Sequence, residues 1–219
     1  MDIKKNIDEY IYGNNSSHGR KPLERYASFD YCFNHFQSFR DQSRISELAS
    51  PQHIQESCLH LGFYLASWGM LRGSSFLLGK SVKVYESLVR SIASANPILW
   101  DIDVNCYTPE NIHLILDLRK KIVENLDYEN GPSDILVTKI MLGVFGNVPA
   151  FDSFFKIGFG VSTFDKSALE KISDFYKANN IIIENSRLAT LDFITGQPTH
   201  RLYTRAKVID MIFFIEGGK

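Results

Sequence analysis

Apolar side chains recur at helical spacing from one end of the chain to the other. Ile3, Ile7 and Tyr10 begin this pattern, because residues three or four apart share one face of an α-helix. The spacing returns in each later segment between turn-forming residues. We therefore predict an all-α protein, a compact globular bundle of about nine helices in a single domain, residues 1–219. If that bundle is divided into two lobes with a cleft between them, the stretch 96–108 is the best candidate for the hinge.

Capping residues and helix breakers predict where several helices begin. Thr108 followed by Pro109 is one such start, since threonine caps a helix and proline fits its first turn. Pro149 opens another predicted helix. The segment Ser167–Glu170 has the spacing of a capping box. Residues 181–193 fit either a helix or a short strand.

Residues 134–145 form the most apolar of the predicted helices. Apolar side chains cover nearly every face of this helix, which is typical of a buried helix. Lys139 lies in its middle, so the ammonium group must snorkel to water, pair with an acid, or act as a nucleophile with a shifted pKa. The chain then continues to Asp152, which is the candidate acidic partner.

Other polar residues also interrupt apolar segments. Asp30 and Asp210 each lie among apolar side chains, and a buried carboxylate needs a partner. Arg72 follows the apolar helix that we predict to end near residue 71. Arg72 could pair with one of these acids, hold an anion together with Ser74 and Ser75 at the start of the next helix, or simply follow an ordinary helix end.

Composition narrows the possible functions. The formal net charge is −1, whereas a dedicated nucleic-acid binder usually carries a basic surplus. Cys32, Cys58 and Cys106 have no metal-ligand spacing, so we expect free thiols in a reducing compartment. His53 and His60 share a helix face, but we find no supporting carboxylate spacing. We expect no metal and no cofactor.

The N-terminal segment is charged and does not have the features of a signal peptide. No apolar run approaches the ~18 residues that a membrane span needs. We therefore expect a cytoplasmic protein without a membrane partner.

The segment 131–155 resembles the helix–hairpin–helix DNA glycosylases, the superfamily that includes 8-oxoguanine DNA glycosylase and endonuclease III. The matching residues are Thr138, Lys139, Val148, Pro149, Asp152, Phe154 and Phe155. The resemblance implies that Lys139 attacks C1′ of a flipped nucleotide, and that Asp152 assists the attack or stabilises the sugar cation. Such enzymes hold the flipped base between apolar or aromatic walls, for which Trp68 is a candidate.

Two classes of function remain open. The first is a DNA glycosylase-like enzyme whose partner is a nucleic acid or a nucleotide-like ligand. The second is a non-enzymatic helical interaction module, for example a homodimer. The second is favoured by the near-neutral charge, the many aromatic residues, and the sequence 130–134, which has one glycine where the family's hairpin is glycine-rich. The environment of Lys139 separates the two: a cleft with Asp152 in hydrogen-bond reach favours an enzyme, and bulk solvent favours the module.

Overall fold

The computed structural model describes residues 1–14, 17–73, 75–126 and 131–219, and this part of the chain contains nine α-helices, several short 3-10 helices and one small β-hairpin. The helices are α1 (Ile3–Tyr12), α2 (Ala27–Asp41), α3 (Ile54–Ser67), α4 (Glu86–Ala93), α5 (Pro109–Asn125), α6 (Asp134–Phe145), α7 (Ser153–Phe159), α8 (Lys166–Asn185) and α9 (Arg205–Glu216). The strands β1 (Ala189–Leu191) and β2 (Pro198–Leu202) pair antiparallel. The prediction of a compact, mostly helical fold with about nine helices is confirmed.

Helices α6 and α9 occupy the centre of the core. Every residue from Leu136 to Phe145 in α6 is buried, as its apolar pattern predicts. In α9, residues 206–213 are buried as well. Helix α6 packs against α2 and α3, while α9 packs against α1, α7 and α8. Any charged side chain in these two helices therefore needs a partner inside the protein.

A glycine allows α3 and α6 to approach closely. A Cβ atom at Gly143 would lie only 2.5 Å from Cε1 of Tyr64, so no larger residue fits there without displacing the tyrosine ring. This contact brings the end of α3 against α6. Trp68, the C-cap residue of α3, is thereby placed beside Lys139.

The helix predicted to open at Pro149 begins later, so that prediction is wrong. Helix α7 starts at Ser153, and its N-cap is Asp152, whose Oδ1 accepts a hydrogen bond from Phe155 N at 3.0 Å. The backbone before Asp152 stays non-helical because side chains take its amides. Ala150 N donates to Asp210, and Phe151 N donates to a hydroxyl on α6.

The N-terminal caps of α5 and α8 are formed by a threonine and an aspartate. Thr108 caps α5 as predicted, since its Oγ1 accepts a hydrogen bond from Asn111 N at 3.2 Å. The predicted capping box at Ser167–Glu170 is wrong. The N-cap of α8 is Asp165, whose Oδ1 accepts from Ala168 N at 2.9 Å.

The ambiguous segment 181–193 contains both kinds of structure. Helix α8 continues to Asn185, and β1 follows a short turn. The candidate hinge 96–108 contains two 3-10 helices, Pro97–Trp100 and Val104–Cys106. A division into two lobes at this stretch stays a prediction. None of the helices in the described ranges is long and apolar enough to cross a membrane.

Candidate functional site

Lys139 and Asp152 form a largely buried ion pair. Lys139 Nζ lies 3.1 Å from Asp152 Oδ2, and the two side chains are only 4% and 14% exposed. Lys139 is in the middle of α6, and Asp152 is the residue that caps α7. Of the three environments that the sequence allows for this lysine, the structure shows pairing with the acid that follows it in the chain.

Two side chains hold the loop that positions Asp152. Thr138 Oγ1 accepts a hydrogen bond from Phe151 N at 2.8 Å and donates to Asp134 O at 2.6 Å. Asp210 Oδ1 accepts from Ala150 N at 3.0 Å. The residues directly before Asp152 are therefore fixed to α6 and to α9, and the distance between Lys139 and Asp152 follows from these contacts.

A second buried lysine lies close to the first pair. Lys207 Nζ is 2.8 Å from Asp210 Oδ2, and both residues belong to α9. Burial alone would lower the pKa of Lys207, but the charge of Asp210 and the nearby Tyr10 outweigh burial and raise that pKa above its usual value. Lys207 therefore carries its charge at neutral pH.

The ring of Trp68 connects these cations with a group of aromatic side chains. Lys139 Nζ and Lys207 Nζ lie 5.0 and 5.5 Å from the centroid of the Trp68 ring. The Trp68 ring also stacks on the Tyr26 ring, with centroids 5.4 Å apart, and packs edge-on against the Phe214 ring, with centroids 5.5 Å apart. Trp68 Nε1 is buried without a hydrogen-bond partner in the described residues. We call Trp68, Tyr26 and Phe214 the aromatic cluster.

A hollow of about 450 Å³ borders the aromatic cluster. Three aromatic side chains and one arginine contribute to its wall: Tyr26, Phe154, Phe214 and Arg25. Lys139 and Trp68 do not line this hollow. The Lys139–Asp152 pair therefore lies behind the aromatic cluster, with Trp68 in contact with both the pair and two residues of the wall.

The predicted ligand-binding residues Arg72 and Ser75 line a different hollow, of about 370 Å³, together with Gly131 and the α6 N-cap residue Ser133. Arg72 is exposed and makes no ion pair with the part of the chain that the structure describes. Ser75 Oγ caps the 3-10 helix Phe76–Gly79. Ser74, the third residue of this predicted site, lies outside the described residues.

The predicted ion pair between Arg72 and a buried acid is wrong. Asp30 pairs with Arg20, whose Nε lies 2.9 Å from Asp30 Oδ2, and Asp210 pairs with Lys207. Asp30 and Asp210 are each already in an ion pair, and Arg72 lies at the surface. Neither Arg20 nor Lys207 was predicted from the sequence as a partner of these acids. The position of Lys207 three residues before Asp210 on a helix was the available signal.

The acid at the start of α6 is also paired. Arg119 donates to Asp134 Oδ1 from Nε at 3.1 Å and from Nη2 at 2.9 Å, and Phe164 N donates to Oδ2. The guanidinium group offsets the negative charge that Asp134 places near Ser133 and the Arg72 hollow.

Comparison of the chain with protein-family models, with curated proteins and with solved structures finds no match.

Proposed function

We propose that the protein is a DNA glycosylase-like enzyme that acts on a base of a nucleic acid or on a nucleotide-like ligand. Lys139 is the nucleophile and Asp152 its acidic partner. The observation that carries this proposal is the 3.1 Å contact between Lys139 Nζ and Asp152 Oδ2, with the acid at the N-terminus of the following helix. That arrangement is the one that the resemblance of residues 131–155 implies.

The chemistry begins with a proton transfer inside the pair. Asp152 accepts a proton from the Lys139 ammonium, because only the neutral amine has a free electron pair. The amine then attacks C1′, the bond from C1′ to the base breaks, and the base leaves with that electron pair and takes up the proton that Asp152 holds. Asp152 then accepts a second proton from the nitrogen that is now bonded to C1′. The electron pair left on this nitrogen opens the sugar ring at C1′–O4′ and gives a protonated Schiff base on Lys139, and O4′ takes up the second proton from Asp152.

The hollow beside the aromatic cluster is the proposed base pocket. A flipped base can stack on Tyr26, Phe154 or Phe214, and aromatic stacking is how proteins commonly hold an extruded base. Lys139 is covered, so the indole of Trp68 must turn aside for the sugar to reach it. No hydrogen bond within the described residues holds Trp68 Nε1 in place, which favours such a movement.

The hollow at Arg72 is the proposed contact for the phosphate backbone. The guanidinium group of Arg72 is exposed and forms no ion pair with the described residues. It lies beside the N-terminus of α6, where free backbone amides favour an anion. The ion pair between Arg119 and Asp134 removes much of the local repulsion.

Replacement of Arg72 by alanine should weaken DNA binding and leave stability nearly unchanged. An exposed side chain without an ion pair contributes less than about 0.5 kcal/mol to the free energy of unfolding. Loss of one phosphate contact should reduce the slope of log affinity against log salt by about 1. Fluorescence anisotropy with a duplex at several salt concentrations measures that slope.

Arg90→Ala is the matched control for Arg72, because Arg90 is an exposed arginine on α4 that pairs with Glu86 and does not line the Arg72 hollow. It should leave the slope unchanged. Equal slopes for the wild type and Arg72→Ala would remove Arg72 from the proposed binding surface.

Covalent trapping with borohydride tests the enzymatic proposal. Borohydride reduces a Schiff base to a stable amine, so a protein that forms the proposed intermediate becomes linked to DNA. We expect trapping of the wild type on DNA with abasic sites or damaged bases and none of Lys139→Gln.

A second candidate function is a homodimer formed through an apolar groove of about 720 Å³. Four large apolar side chains that line this groove are exposed: Leu23, Leu59, Phe63 and Phe193. Its wall also carries charges of both signs, Glu24, Glu56 and Arg25. Such a mixed rim can pair with a second copy of itself across a two-fold axis, since the same patch then meets itself.

Analytical ultracentrifugation tests the dimer. We expect the wild type to sediment as a dimer and Phe63→Ser as a monomer. Ile157→Ser is the control, because Ile157 is 71% exposed against 69% for Phe63 but does not line the groove. A wild type that sediments as a monomer at every concentration would refute the dimer. This outcome would not affect the trapping experiment.

A further inference from the structure

Three potential metal ligands meet between α2 and α3. His35 comes from α2, and Glu56 and His60 come from α3. One ligand atom from each residue lies within 4.8 Å of the other two, and no other group of this kind occurs in the described ranges. The cluster is separate from the Lys139 site, since none of its residues contacts Lys139 or Asp152.

The packing of the two helices holds the rings next to each other. The rings of His35 and His60 stack with centroids 4.2 Å apart and planes 13° apart. His60 Nε2 lies 3.8 Å from Glu56 Oε1, and these two residues are one helical turn apart. A carboxylate and an imidazole four residues apart on one helix, together with an imidazole from a neighbouring helix, give three ligands from two rigid elements.

Ser57 fixes the orientation of His35. Ser57 Oγ donates its proton to Leu48 O at 3.2 Å, so it accepts a hydrogen bond from His35 Nε2 at 3.0 Å. This arrangement places the proton on Nε2 and leaves the lone pair on Nδ1. Contacts of this kind, which orient a histidine through its second nitrogen, are typical around protein metal sites.

A third histidine also faces the cluster. His53 Nδ1 lies 3.8 Å from Glu56 Oε2, on the carboxylate that also faces His60. Neutral imidazoles with free lone pairs are the form that binds metals.

We propose that His35, Glu56 and His60 bind a divalent transition-metal ion of the zinc class. Two imidazoles and one carboxylate suit Zn²⁺, which binds nitrogen and oxygen ligands at about 2.0–2.1 Å and therefore holds them about 3.3–3.4 Å apart. The three ligand atoms already lie within 4.8 Å of one another, and rotation of side chains, among them the exposed Glu56, brings them to that spacing. His53 or water takes the fourth position, and the ion links α2 to α3.

We expected no metal because the cysteines have no metal-ligand spacing and because His53 and His60 alone do not make a metal site. Glu56 lies three residues after the first and four residues before the second, so the carboxylate was within reach along α3. The other histidine, His35, is far away in the sequence. Only the packing of α2 on α3 brings it to the pair.

Titration of the full chain with Zn²⁺ after removal of metals with EDTA tests this site. We expect one equivalent of Zn²⁺ to bind and to raise the melting temperature, and Co²⁺ to give the visible absorption of a tetrahedral ion. Ser57→Ala should weaken Zn²⁺ binding about 10–100-fold, as loss of an orienting contact does, and Glu56→Gln at least as much. Glu56 is exposed, so Glu56→Gln should fold normally even if a change at a buried histidine prevents folding.

His113 and Asp117 on α5 provide a matched control. They form another histidine–carboxylate pair four residues apart, with His113 Nε2 3.2 Å from Asp117 Oδ2, but belong to no three-ligand group in the described residues. Asp117→Asn should leave Zn²⁺ binding unchanged. The proposal is overturned if the wild type binds no stoichiometric Zn²⁺, or if Asp117→Asn and Glu56→Gln weaken it equally. Neither result bears on trapping by Lys139.

Discussion

Replacing Asp210 with alanine should lower the free energy of unfolding by about 3–5 kcal/mol, because the change leaves the buried Lys207 charge without its partner. The side chains of Lys207 and Asp210 are only 1% and 9% exposed, and their charged atoms lie 2.8 Å apart. Lys207 Nζ lies 4.9 Å from the ring centroid of Tyr10 and 4.7 Å from that of Phe29. These rings attract the ammonium group but cannot replace a full negative charge. Urea denaturation at neutral pH measures this loss.

The loss of stability in Asp210→Ala should have its full size at neutral pH. The folded state raises the pKa of Lys207 above its ordinary value of 10.5, so the pair contributes its full stability below about that pH. The contribution is lost only when the pH rises through the folded-state pKa. Measurements near pH 7 and pH 8 should therefore give the same difference between wild type and Asp210→Ala.

Asp210→Asn separates the two roles of this residue. Asparagine keeps an oxygen that accepts the hydrogen bond from Ala150 N but removes the charge that faces Lys207. Asp210→Asn should therefore lower the free energy of unfolding by less than Asp210→Ala does, but by a measurable amount. Asp174→Ala is the control, because Asp174 pairs with Lys177 at the surface and exposed pairs contribute little. Equal small effects of Asp174→Ala and Asp210→Ala would show that the Lys207 pair is not needed for stability.

Lys139→Gln should abolish borohydride trapping, and Asp152→Asn should slow it about 10²–10⁴-fold. Glutamine keeps most of the side-chain stem and removes the amine, so no Schiff base can form. Asparagine cannot accept the proton that must leave the lysine ammonium before attack. Single-turnover trapping on abasic DNA gives both rates.

Each of these single changes also removes one partner of a buried pair, so loss of folding has to be separated from loss of chemistry. The double variant Lys139→Gln/Asp152→Asn removes both charges together and should regain stability relative to Asp152→Asn. It should remain unable to trap DNA. Lys171→Gln is the control for a lysine outside the site, since Lys171 bonds to Phe159 O and Gly160 O, and it should trap like the wild type.

The local part of the candidate site could be predicted from the sequence. A helix that is apolar on all faces must be buried, and every residue from Leu136 to Phe145 is buried as that pattern predicts. Lys139 was recognisable because a single charge in such a helix has few possible environments. Asp152, thirteen residues later, is the next acidic residue along the chain.

Contacts between distant segments could not be predicted in the same way. Pro149 signals a helix start, but Asp210 and Thr138 take the amides that follow it and delay the helix to Ser153. The partner of Asp30 is Arg20 in the preceding loop, whose position depends on the fold of the whole N-terminal segment.

The β-hairpin also depends on hydrogen bonds to a segment that is distant in the sequence. Asn34 on α2 donates a hydrogen bond from Nδ2 to Leu191 O at 2.9 Å and accepts one from Thr190 Oγ1 at 2.8 Å. Strands this short are stabilised by their neighbours more than by their own composition. For that reason residues 181–193 fitted two structures equally well until the helix beside them was known.

Mass spectrometry of the borohydride-trapped wild type is the most direct test of the proposed function. Digestion of the linked complex should give one modified peptide, with the reduced sugar attached to Lys139 Nζ. Attachment to the N-terminal amine or to another lysine would contradict the assignment of Lys139 as nucleophile. Absence of any adduct across abasic sites and a broad panel of damaged bases would contradict the glycosylase-like function itself.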